Sequence, residues 1–116
     1  MHRTEKTANQ IKKVLSEVIQ HHIKDPRIAG NVTVSRVEVT SDISQAKVFF
    51  SILADAATRE EIMLTLNKAK GFLRTELAQN LKIRHTPVLE FKLDTSVEQG
   101  MRIQHLLDEI IEEERS

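Results

Sequence analysis

Between residues 62 and 92, Lys68, Lys70, Arg74, Lys82, Arg84 and Lys92 stand against only Glu76 and Glu90. Closely spaced cations with few acids among them are suited to neutralising phosphates and releasing the counterions of a polyanion. Lys70 and Arg74 are four apart, which on a helix puts them on one face. Lys82 and Arg84 follow in a segment able to return beside them. Lys68, Lys70, Arg74, Lys82 and Arg84 are therefore the candidate RNA-binding residues, and Lys12, Lys13, Lys24 and Arg27 extend the set. The competing reading is an ordinary solvated helix face, and the scarcity of acids weighs against it.

A net charge of zero hides this arrangement. Residues 1–92 carry 15 Lys/Arg against 10 Asp/Glu, and residues 93–116 carry 2 against 7. Local potential, not the whole-chain sum, attracts a polyanion. The acidic end, Asp108, Glu109 and Glu112 to Glu114, falls at a helix C-terminus, where negative charge opposes the dipole. It is expected to fray and to face away from RNA, with an autoinhibitory cover over the basic face as an open alternative.

Other chemistry has little to work with. There is no cysteine, which excludes disulfides, thiolate zinc sites and a thiol nucleophile. No glycine-rich phosphate loop, carboxylate pair or Ser/His/Asp grouping stands out, so no enzyme, cofactor or small-molecule substrate is expected. His105 with Asp108 or Glu109 has ligand-like spacing, but a surface histidine beside acids explains it better than a metal. The only aromatics are Phe49, Phe50, Phe72 and Phe91, too few for stacking along a single strand. Phe49 is a stacking platform if its face is open; packing against a terminal helix is the preferred reading. The N-terminus does not resemble a signal peptide, and no apolar run approaches the roughly 20 residues that span a bilayer. A cytoplasmic, monomeric, single domain over residues 1–116 is the expectation.

The elements that must position these side chains are legible. Ala8, Ile11, Val14, Leu15, Val18, Ile19 and Ile23 recur at helical spacing over 4–24, and Asp25-Pro26 stops the helix. Residues 32–40 alternate as a strand, with a change of parity near Ser35-Arg36 that predicts a bulge. After a turn at Ser41-Asp42, residues 45–54 alternate again, giving an antiparallel hairpin. Thr58-Arg59-Glu60-Glu61 reads as a capping box opening a helix to about residue 81. Gly71, in its middle, costs about 1 kcal/mol relative to alanine, so a kink or a close contact is expected there. Leu89, Phe91 and Leu93 form a third strand. Ser96-Val97-Glu98-Gln99 opens a C-terminal amphipathic helix in 95–116, with Ile103, Leu106, Leu107 and Ile110 on one stripe. A strand–helix–strand crossover favours right-handed parallel pairing of the second and third strands. The prediction is an α+β fold in the order α-β-β-α-(kink)-α-β-α. Its three-stranded mixed sheet carries helices mainly on one face and leaves the other partly open.

That order resembles a KH-like domain of the second type, and particular residues narrow the likeness. Ile23-Lys24-Asp25-Pro26-Arg27 follows the first helix, and Asp42-Ile43-Ser44-Gln45-Ala46-Lys47-Val48 enters the second strand. Ala69-Lys70-Gly71 marks the kink, with Arg74 after it. Leu81-Lys82-Ile83-Arg84 and Pro87 lead to the third strand, and Asp94-Thr95-Ser96 with Glu98 to Ile103 opens the last helix. Together these resemble the bacterial ribosome-binding factor A family over nearly the whole chain. His85-Thr86 and Val88 depart from the family's usual residues around the proline. A typical KH domain clamps nucleotides with a Gly-x-x-Gly loop; Ala69-Lys70-Gly71 is too short for one and suits a kink. The resemblance implies a ribosome assembly factor that binds the immature small (30S) subunit and its ribosomal RNA near the 5′-end helix. It further implies help with late maturation and 5′-end processing, and greatest need in the cold. A generic KH-like RNA module, or a protein-interaction domain using the open sheet face, remains the alternative.

Overall fold

The computed structural model describes residues 3–28, 30–81 and 85–115, the side chains of 97–105 and 115 excepted. Helix α1 (Arg3–His22) is followed by β1 (Val32–Val39), β2 (Gln45–Ile52), α2 (Ala56–Lys68), α3 (Lys70–Asn80), β3 (Val88–Leu93) and α4 (Ser96–Arg115). The sheet order is β1-β2-β3; β1 and β2 are antiparallel, and β2 and β3 are parallel. The expected α+β architecture with a mixed three-stranded sheet is thus present.

One side of the sheet is closed. Ile11, Leu15, Val18 and Ile19 of α1, Ile62 and Leu66 of α2, and Leu73 and Leu77 of α3 are buried. They share a core with Val34, Ala46, Val48, Phe50, Ile52, Leu89 and Phe91 from the sheet. Each such large side chain contributes about 1.5–3 kcal/mol by leaving water. Phe50 and Phe91 meet edge to face, with ring centroids 5.0 Å apart, the arrangement that ring quadrupoles favour.

The expected bulge is where the parity changes. The β1–β2 register shifts between Val34 and Arg36, leaving Ser35 unmatched. Its hydroxyl donates across β2 to Asp94 Oδ2 at 2.6 Å, and Asp94 Oδ1 accepts from the Ser96 amide at 2.9 Å. A single carboxylate therefore ties the bulge in β1 to the first turn of α4. The Ser35 hydroxyl, followed by the Ser96 amide and hydroxyl, holds the Asp94 carboxyl down at about 2.

At the hairpin, Asp42 Oδ1 accepts from the Thr40 hydroxyl and from both the amide and hydroxyl of Ser44. These bonds hold Ile43 at φ 59, a left-handed conformation costly for a β-branched residue. The same turn seats the next strand, since the Val88 amide donates to the Ser44 carbonyl.

One capping expectation needs correction. Helix α2 begins before Thr58: Asp55 is its N-cap, and its side chain accepts from the Thr58 amide at 2.8 Å. The better cap three residues upstream wins because Ala56 and Ala57 extend the helix readily. Glu61 therefore lies a turn further in and meets Arg27 instead of reaching back. In α4 the Ser96 amide is served by Asp94, and Gln99 lies outside the described side chains. The acidic end, expected to fray, is helical to Arg115, where the good helix propensity of Glu works against its unfavourable position in the dipole.

Candidate nucleic-acid interface

The α2–α3 pair is anchored from below by Ile62, Leu66, Leu73 and Leu77, all fully buried, which turns the intervening polar positions outward. The break between the helices is at Ala69, whose ψ of 1° leaves the helical region. Its amide is shared between the Thr65 and Leu66 carbonyls at 3.1 Å each. Ala69 packs partly against the core, so a small side chain sits at the pivot. Gly71 is not there to relieve crowding. A Cβ placed on it would meet nothing within 4 Å, and its backbone needs no positive φ. Its bare surface instead lines a cleft of about 420 Å³ together with Arg74, Thr75, Ala78, Gln79, His85 and Thr86.

Three of the five principal candidates are in view, and all three flank this break. Lys68 is exposed at the end of α2. The half-buried Lys70 places its ammonium over the Phe91 ring, 5.1 Å from the centre, a cation–π contact with a core aromatic. Arg74 donates from Nε to the Pro87 carbonyl at 3.2 Å and from Nη2 to the Thr86 carbonyl at 2.9 Å. Arg74 thus fastens the segment before β3 to α3, yet its partners are neutral and its positive charge persists. Among the described residues, none of these three cations meets a carboxylate.

Lys82 and Arg84 lie outside the described residues. Their flanks, however, are fixed: Leu81 is buried and its amide donates to the Leu77 carbonyl, while Pro87 is buried beneath Arg74.

The extended set divides. Lys13 lines a second cleft, of about 370 Å³, beside Glu17 of α1 and with Asn80 and Leu81 at the far end of α3 from the break. Lys12 and Lys24 are exposed and do not line that cleft. Arg27 is committed elsewhere. It pairs with Asp25 at 2.8 Å and Glu61 at 3.2 Å and donates to the Thr65 hydroxyl at 3.2 Å. It clamps the connection after α1 onto α2. Hydrogen bonding from Arg27 lowers the Asp25 pKa, and Asp25, followed by Glu61, raises that of Arg27. Two carboxylates cancel its field, so Arg27 adds little positive potential.

The opposite face of the sheet carries residues outside the candidate RNA-binding set. Arg36, Phe49 and Lys92 are in register across all three strands. The Arg36 guanidinium lies 4.0 Å from the centre of the Phe49 ring. Phe49, expected to pack against a terminal helix, is thus half-buried under an arginine. Strand parity carried the signal, since odd positions of β2 must face away from Val48 and Phe50. Acids interrupt this face: Glu38 lies 3.7 Å from Arg36, and Glu90 lies 3.3 Å from Lys92. The kinked side has the stronger uncompensated charge.

The family model described as ribosome-binding factor A matches residues 3–107. Ribosome-binding factor A of Syntrophomonas wolfei is 52% identical over 112 residues, covering 96% of this chain and 92% of that protein. The crystal structure of ribosome-binding factor A from Thermus thermophilus superposes with a TM-score of 0.68 at 29% identity, over 78% of this chain and 94% of that one. A homology model of the Thermus thermophilus factor, fitted into the cryo-EM map of a 30S complex, gives 0.66 at 28% identity, over 83% and 97%. A match through the sheet, the kinked helices and the start of the last helix leaves one conclusion: the chain belongs to the ribosome-binding factor A family.

Proposed function

We propose that this protein binds the immature small ribosomal subunit through the outer side of the α2–α3 break and the segment that follows it. Lys68, Lys70, Arg74, Lys82 and Arg84 meet ribosomal RNA phosphates near the 5′-end helix, with Lys13 at the border. Binding holds a local RNA conformation, assists late maturation and 5′-end processing, and matters most in the cold. It is an assembly role in the cytoplasm, carried by a monomer without catalysis.

One observation carries this reading: three cations with no carboxylate among their described neighbours flank the α2–α3 break, and one of them, Arg74, lines a cleft together with the bare Gly71. A ribose–phosphate backbone needs both features, charge to neutralise and room for close approach. The Thermus thermophilus factor fitted into a 30S complex supports the choice of particle. The open sheet face is less suited to phosphate, because Glu38 and Glu90 oppose its cations.

The test is co-sedimentation with immature small subunits across a salt series. Arg74 is left intact because it holds the loop before β3. Lys68→Glu with Lys70→Glu, and separately Lys82→Glu with Arg84→Glu, are expected to keep the native circular dichroism and lose binding. Neutral variants of phosphate-contacting lysines lower the slope of log K against log salt by about one each. Binding unchanged in both folded pairs would refute the site.

A further inference from the structure

Helix α4 presents a surface that the RNA site does not use. Leu106, Leu107, Ile110 and Ile111 are each about half exposed, at 53%, 48%, 52% and 47%. They lie at i, i+1, i+4 and i+5, a single stripe on a helix. Contiguous apolar groups left in water mark a surface waiting for cover. Around the stripe stand Asp108, Glu109, Glu112, Glu113 and Glu114, with Arg115 the one Lys or Arg from residue 106 onward.

This charge pattern selects the occupant. RNA is repelled by this acidic segment, Glu109, Glu112 and Glu114 among it, and an anionic membrane surface is repelled for the same reason. A second copy of α4 would bring acid against acid. A protein segment with its own apolar residues flanked by Lys and Arg satisfies both the stripe and its border. The start of the helix is also fixed: Asp94 accepts from the Ser96 amide and from the Ser35 hydroxyl on the sheet. The first turn of α4 is thereby held to the domain body.

We infer that α4 is a docking helix for a cationic, apolar-bearing protein segment of the small-subunit particle, separate from the RNA contact. The inference rests on the proposed binding to that particle. The kinked face takes phosphate, and the acidic amphipathic helix takes protein. Two contacts of opposite charge on one small domain would fix its orientation as well as its position.

Site-specific photocrosslinking of the full chain on purified immature small subunits tests this. One probe is Leu107→p-benzoylphenylalanine; a second is Gln79→p-benzoylphenylalanine, in the cleft beside Gly71. The Leu107 probe is expected to label a Lys/Arg-rich segment of a subunit protein, identified by mass spectrometry, and the Gln79 probe to label RNA. Adding Glu109→Lys, Glu112→Lys and Glu114→Lys is expected to cut the Leu107 product about tenfold and leave the Gln79 product unchanged. Labelling of RNA, of a second copy or of the chain's own body by the Leu107 probe would overturn the inference. So would its silence while the Gln79 probe labels RNA. Silence of both probes, with no co-sedimentation, would mean instead that the proposed function itself fails, and the docking role with it.

Discussion

Helices α1 and α4 are both 20 residues long, and both carry one apolar stripe. In α1 the stripe of Ile11, Leu15, Val18 and Ile19 is at most 5% exposed; in α4 the stripe around Ile110 is about half exposed. The difference lies in what each helix finds next to it. Helix α1 lies along the hairpin and α3, whose apolar faces close over it. By the time the chain reaches α4, the closed side of the sheet is already covered by α1, α2 and α3. Amphipathic spacing records that a face requires cover. It does not record whether the cover belongs to the same chain.

The contrast can be broken most sharply by truncating equivalent leucines. Leu15→Ala removes a fully buried side chain and is expected to cost about 2–5 kcal/mol in urea unfolding. A smaller effect is expected at the joint between the two regions. Asp94→Ala deletes the acceptor shared by Ser35 and Ser96 and should lower stability by about 1 kcal/mol, with faster amide exchange at Ser96 and little change in α1.

Acid probes the same joint. The folded Asp94 carboxyl, held at about 2, lies below its unfolded value. Its contribution is therefore complete above about pH 4 and is lost as pH falls toward 2. The protection factor of the Ser96 amide, measured by NMR relative to the intrinsic exchange rate at each pH, should fall over that window in the parent protein and remain flat in Asp94→Ala. The smallest effect is expected at the tip: Leu107→Ala should change unfolding free energy by no more than about 0.5 kcal/mol. A loss there comparable to Leu15→Ala would show that α4 belongs to the core.

Much of the fold was legible because local physics dictated it. Alternation located all three strands, the parity change at Ser35-Arg36 located the bulge, and helical spacing located every helix. The family likeness was legible too, since it depends on residue order along the chain. The functional surface was only partly so. Charge density pointed to the region around residue 70, and Lys68, Lys70 and Arg74 do flank one break. Composition could not distinguish Arg27, which two carboxylates neutralise, from Lys70, which meets an aromatic ring. Nor could it show that Arg74 braces a loop while keeping its charge.

The sequence alone determined which residues face together within each element, because helix and strand periodicities are properties of the backbone. Pairing between distant side chains was decided only by the tertiary structure. Arg27 with Glu61, Arg74 with the Thr86 carbonyl, and Ser35 with Asp94 each join positions 12 or more residues apart. Such contacts depend on how sheet and helices stack, and no local pattern encodes that. The fate of the two amphipathic helices was settled at the same level: α1 was closed over by its own chain, and α4 kept its apolar stripe facing water.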